Sequence, residues 1–148
     1  MRLLIIVAAA VLAGCEPPPN QPAQIDVTQE AWYGKAVEQL ATMNRQARSL
    51  LDRGKADEAA AIITAGESWV NRLLSVPRPT FAAMEAASDL DDLYGRMLLS
   101  NRNYGWARVM FQKNLARWKS WKPQTDQTER HRKIAEAAIA ECDRRMAE

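Results

Sequence analysis

Apolar residues recur at spacings of three and four along most of this 148-residue chain, and the pattern breaks only at a glycine, a proline pair or a short polar cluster. Tyr33, Val37, Leu40, Met43, Ala47, Leu50 and Leu51 fall on one side of a helix with that period. No stretch alternates with period two over a useful length, so no sheet is expected. Alanine, leucine, arginine and glutamate are common and β-branched residues scarce, which favours an all-α fold.

About five helices follow from these breaks, joined as antiparallel hairpins. Asp26 with Gln29, or Thr28 alone, offers a cap for the first. It runs to about Arg53, with Gly54 as its C-terminal cap. The second spans about Ala56 to Ser75, with Asp57 and Glu58 in a first turn that favours negative charge, and Pro77 and Pro79 end it. The third starts near Thr80 and reaches about Ser100, with Ser88 and Asp91 as an internal start signal where it could break. The fourth runs from about Tyr104 to Trp121, capped by Asn103 and followed by Pro123. Asp126 with Glu129 forms a capping box for the fifth.

The N-terminus carries a different signal. Met1 and Arg2 precede an unbroken apolar run from Leu3 to Ala13, then Gly14 and Cys15. A helix of that length rises roughly 16 Å, against a hydrocarbon core of about 30 Å, so it is too short to span a bilayer. With Leu12-Ala13-Gly14-Cys15 as the box, residues 1–14 resemble the signal peptide of a bacterial lipoprotein. The resemblance implies a diacylglyceryl thioether on Cys15, cleavage before it and acylation of the new amine. Two or more chains, at about 0.8 kcal/mol per buried CH₂, anchor stably. Residues 15–25 then form the lipidated cysteine and a tether, in which EPPPNQPAQ holds four of the seven prolines. Extended at about 3.1 Å per residue, it would lift a domain roughly 30 Å from the bilayer. Glu16 stands where an aspartate tends to retain proteobacterial lipoproteins in the inner membrane. The expected address is therefore exported and membrane-anchored, at the outer membrane if the host has one.

Residues 26–148 remain for one helical domain, long enough for a real core. With Cys15 taken by lipid, Cys142 has no partner, and its helical neighbours Ala135, Ala138, Ile139 and Met146 suggest a small buried core residue. The domain also contains a weak internal repeat at an offset of 48. Arg48 aligns with Arg96, Leu50-Leu51 with Leu98-Leu99, Ala59 with Ala107, and the turn Arg53-Gly54-Lys55 with Asn101-Arg102-Asn103. Each copy is a helical hairpin. It resembles the tetratricopeptide repeat (TPR) family, whose unit is a helix–turn–helix of about 34 residues. Gly95 falls at the small residue of the first helix, and Tyr104, Ala107 and Phe111 at the aromatic, small and aromatic sites of the second. Ala47, Ala59 and Ile63 match in the first copy, with Ala56 replacing the first aromatic. The longer offset, with extra residues around Ser75 to Ser88, and Asn71 and Lys119 at the family's closing proline depart from it. Both a TPR-like stack capped by the fifth helix and a small helical bundle fit.

Chemical motifs are mostly absent. The chain lacks phosphate-loop, dinucleotide and nucleophile-elbow signatures. The one histidine, His131, lies between Arg130 and Arg132, which disfavour its protonation as a base, and it is expected at the surface. No His or Cys stands at ligand spacing, so no metal is expected. Asp89 and Asp92, at i,i+3, could imitate paired catalytic carboxylates but also suit an acidic helix start. Neither enzyme activity nor a cofactor is expected.

Two interaction readings remain. In tetratricopeptide repeats the first helix of each hairpin lines the concave surface. The resemblance nominates Asn44, Arg48, Leu51, Asp92, Arg96 and Leu99 as a groove for a protein partner in the envelope, with Arg48 and Arg96 suited to a peptide carboxylate. The alternative rests on residues 93–125, which contain no acid. There Arg102, Arg108, Lys113, Arg117, Lys119 and Lys122 intermingle with aromatics, a pattern that binds anionic polymer or lipid headgroups. Asp57, Glu58 and Glu67 are the acids expected to neutralise part of it. Trp121 is the aromatic expected to be most exposed. Nucleic acid is the wrong target for an exported chain, and a net charge of +2 does not call for one.

Overall fold

The computed structural model describes residues 26–148; the apolar leader, Cys15 and the proline-rich tether lie outside the described residues. After a single 3₁₀ turn at Val27–Gln29, five helices follow: α1 (Ala31–Asp52), α2 (Ala56–Leu74), α3 (Phe81–Ser100), α4 (Tyr104–Ser120) and α5 (Asp126–Ala147). The described residues contain no strand. The helices α1 and α2 form one antiparallel hairpin and α3 and α4 a second. α3 lies against both helices of the first hairpin, and α5 lies along α4.

The offset of 48 is visible in the backbone. Gly54 and Arg102 both adopt the left-handed conformation, with φ of 73° and 60°. Each ends its hairpin's first helix with the same pair of bonds. Gly54 and Lys55 N–H donate to the carbonyls of Leu51 and Leu50, both at 2.9 Å; Arg102 and Asn103 donate to those of Leu99 and Leu98, at 3.1 and 2.8 Å. This satisfies carbonyls that a helix end otherwise leaves bare. Ala59 and Ala107 are both fully buried where the second helix crosses the first.

One core lies between the hairpins, where Tyr33, Leu40, Ile63, Leu73, Leu90 and Leu93 are sealed from water. Each large aliphatic there contributes about 1.5–3 kcal/mol by burial. The Tyr33 hydroxyl donates to the Leu73 carbonyl and accepts from Thr80 N–H, both at 3.2 Å, which ties α1 to the α2–α3 loop. A smaller core of Ala107, Phe111, Ala138 and Cys142 joins α4 to α5. Cys142 is buried there as expected, and burial, then Asp143 and Glu141, push its thiol pKa up.

The two hairpins differ in the face that their first helices present. In α3, Ala83, Ala86, Ala87, Leu90, Leu93 and Met97 are buried in the core shared with the first hairpin. The equivalent positions of α1 hold Lys35, Glu38, Gln39, Thr42, Arg45 and Ser49, none of them buried.

Three local expectations need correction. Asp26 caps the 3₁₀ turn, accepting from Thr28, while α1 starts one turn later at Ala31. The capping box of α5 is made by Thr125 and Thr128, each accepting from the other's backbone, and not by Asp126 and Glu129. Their hydroxyls satisfy the first-turn donors, and the two acids sit in that turn, where the helix dipole favours them. α3 does not break at Ser88, because Ser88 and Asp91 are buried and engaged by α4.

Candidate functional site

A cleft of about 230 Å³ opens where α1, α3 and α5 converge over α4, and both copies of the repeated arginine line it. Arg48 comes from α1, Asp89, Asp92 and Arg96 from α3, Asn114 from α4, and His131 and Ile134 from α5. Arg96 Nε lies 2.7 Å from Asp92 Oδ2, one turn earlier on the same helix. Arg48 has no carboxylate within ion-pair distance among the described residues and is exposed. Asp89 forms no side-chain hydrogen bond there. Burial, then the neighbouring Glu85, raise its pKa above the ordinary carboxylate value, while Arg48 and His131 pull it down. The cleft thus offers one uncommitted guanidinium, one arginine shared with Asp92, and one poorly solvated carboxylate.

The floor of the cleft is a connected polar assembly. Asn114 Nδ2 donates to the Ser88 carbonyl at 2.9 Å, and Trp118 Nε1 donates to Ser88 Oγ at 2.7 Å. Arg117 Nη1 donates to Asn114 Oδ1 at 3.0 Å. The same nitrogen lies 2.9 Å from Asp91 Oδ2, an ion contact off the hydrogen-bond direction, while Lys113 donates to Asp91 Oδ1 at 3.0 Å. Buried polar groups linked in this way hold helices in one register. His131 stacks on Trp118, with centroids 4.3 Å apart and planes 10° from parallel. Its Nε2 is 3.2 Å from Glu85 Oε1. His131 is therefore not the freely solvated residue expected. Its neighbour Arg132 pairs with Glu129, and its ring lies against Trp118 of α4 and near Phe81 of α3.

A second hollow of about 410 Å³ adjoins the first through Arg96, with Leu99, Arg102 and Tyr104 on one side and Glu141 and Arg145 on the other. Arg48, Asp92 and Arg96 therefore line one cleft, and Leu99 lines the hollow next to it. Asn44 does not belong to it. It is buried at the α1–α3 crossing, where Nδ2 donates to the Ala86 carbonyl at 2.8 Å and Oδ1 lacks a partner. Leu51 is half-buried against the main core.

The basic stretch is divided. Arg108 pairs with Asp143 at 2.6 Å, and Lys113 and Arg117 both pair with Asp91. The neutralising acids are thus Asp91 and Asp143, not Asp57, Glu58 or Glu67. Arg102, Lys119 and Lys122 have no carboxylate partner among the described residues. Trp121 packs edge-on against Phe81, with centroids 5.7 Å apart, and is half-buried. The most exposed aromatic is Trp106, at 64 %. The cleft's Asp89, Asn114 and His131 escape a repeat-based reading, because Ala41 and Gly66 stand at the positions equivalent to Asp89 and Asn114 and His131 lies outside both hairpins. The available signal is a pair of polar residues, Ser88 and Asp91, inside an otherwise apolar α3 face.

No group of three or more His, Cys, Asp or Glu among the described residues is arranged to hold a metal ion, and no helix among them is long and apolar enough to cross a membrane. No protein-family model matches the chain, and neither does any curated protein or solved structure.

Proposed function

We propose that this chain is a non-enzymatic, lipid-anchored adaptor of the bacterial cell envelope, a TPR-like hairpin stack that binds a protein partner in the α1–α3–α5 cleft. The observation that carries the reading is the meeting of Arg48 and Arg96, from equivalent positions of two hairpins, in one depression with an uncommitted guanidinium. Arginine forks bind carboxylates in two parallel bonds, and a partner's acidic side chain or C-terminus fits that geometry. The short apolar leader, the Leu-Ala-Gly-Cys box at Cys15 and the proline-rich spacer support the anchor, and Glu16 favours the outer membrane where the host has two. The test is affinity capture from solubilised envelopes with the full chain and its Arg48→Ala/Arg96→Ala variant. The partner should be recovered at near-equal stoichiometry with the native chain and at least tenfold less with the variant, the effect of losing about 1.4 kcal/mol or more. Equal recovery removes the cleft from the account.

A further inference from the structure

We propose that the outward face of α4 is a second contact, one that lays the domain on an anionic lipid bilayer. The buried side of α4 consists of Ala107, Phe111, Asn114 and Trp118. The opposite side carries Val109, 45 % exposed, with Ala116 beyond it, and Trp106, 64 % exposed, stands on the adjoining flank towards α3. Lys119 and Lys122, both exposed, follow this stripe in the chain, whereas Arg102 lines the hollow it shares with Glu141 and Arg145. No acid lies between residues 93 and 125, and the two acids from outside this stretch that pair with α4 are already engaged: Asp91 by Lys113 and Arg117, Asp143 by Arg108. The stripe therefore presents an aromatic and an aliphatic side chain on a helix that ends in two exposed cations with no carboxylate partner among the described residues.

This chemistry matches a membrane interface. Indole rings settle at headgroup depth, and nearby lysines and arginines attract anionic lipid within about a Debye length. A hollow of about 300 Å³ beside Trp106, lined by Tyr94, Leu98, Asn103 and Met110, gives an acyl segment room next to the indole. The stripe runs along one exposed helix flank, which a flat surface can cover. Asn114, the α4 residue that reaches the cleft, is on the buried side, so the stripe faces away from the cleft. Membrane contact and partner binding are compatible.

The test uses the full chain with vesicles of equal parts phosphatidylglycerol and phosphatidylcholine whose acyl chains are brominated near the headgroup. Bromine quenches a tryptophan only in contact. Native protein should lose clearly more emission than Trp106→Phe, and the excess should vanish in pure phosphatidylcholine or at molar salt. Changing Lys119 and Lys122 together to Gln should at least halve it. Equal quenching of native protein and Trp106→Phe overturns the proposal. So does emission from Trp106 that ignores brominated lipid yet responds to aqueous iodide, which leaves this face to a protein partner. Excess quenching that persists without anionic lipid overturns the electrostatic part. The readout reports one side chain, so a missing acyl anchor or an empty cleft does not imitate its failure.

Discussion

Gly95 and Phe111 interlock at the crossing of α3 and α4: a methyl group on Gly95 would stand 2.6 Å from Phe111 Cε1 and 2.8 Å from its Cζ. The ring occupies the volume that the glycine leaves. In the first hairpin the same two positions hold Ala47 and Ile63, both buried. One copy thus combines the smallest residue with a large ring, and the other a methyl group with a branched aliphatic.

Gly95→Ala should therefore destabilise the domain by about 1–3 kcal/mol through overpacking, despite a helix-propensity gain of about 1 kcal/mol. Adding Phe111→Ile imitates the first copy and should recover much of the loss. Urea unfolding of the four proteins in a double-mutant cycle measures the coupling. Strict additivity would show that the two positions do not share one volume.

Asp91 faces two cations, and the Arg117 side chain is only 9 % exposed. Asp91→Ala leaves that guanidinium without its counter-charge and should cost about 3 kcal/mol. Thermal unfolding checks this. Asp143→Ala, which breaks a more exposed pair with Arg108, should cost less than about 1 kcal/mol.

The cleft carries a pH signature in Asp89. Its pKa is raised in the fold, by burial first and Glu85 second. Between the unfolded value and the raised one, the folded state binds more protons, so this group's contribution to stability falls as pH rises through that window and stays unfavourable above it. Asp89→Asn should melt higher than the native protein at neutral pH. The difference should shrink as pH falls towards 3.8, the ordinary value. A gap that widens on acidification would reverse the assigned sign.

The equivalent turns differ in their tolerance. Arg102 holds a left-handed φ of 60°, where a side chain costs roughly 1 kcal/mol, and Gly54 holds 73° without that strain. Arg102→Gly should stabilise the domain by up to about 1 kcal/mol, and Gly54→Ala should destabilise it by a similar amount. Denaturation midpoints of the two variants should move in opposite directions.

Helix ends are legible in this sequence wherever a residue acts on its own backbone. Gly54, Pro77, Thr80 and Pro123 mark breaks close to the observed ones because their effects are local. The hairpin pairing is legible because the apolar period and the offset of 48 agree. Non-local polar contacts are harder to read. Ser88 and Asp91 resemble a helix start until Trp118, Lys113 and Arg117 arrive from α4 and bury them. His131 resembles a solvated residue until its ring stacks on Trp118. Arg48 and Arg96 are legible as a repeated pair, whereas Asp89 and Asn114 join their cleft only through the packing of α4 and α5.

The central claim is that the α1–α3–α5 cleft is the face a partner occupies. Its most direct test is photocrosslinking in living cells, with a photoreactive phenylalanine at Ile134, which lines the cleft and is 45 % exposed. The control position is Lys35, exposed on α1. The account predicts one discrete protein adduct from position 134 that Arg48→Ala diminishes, and none from position 35. The same adduct from both positions, or from position 35 alone, would contradict it.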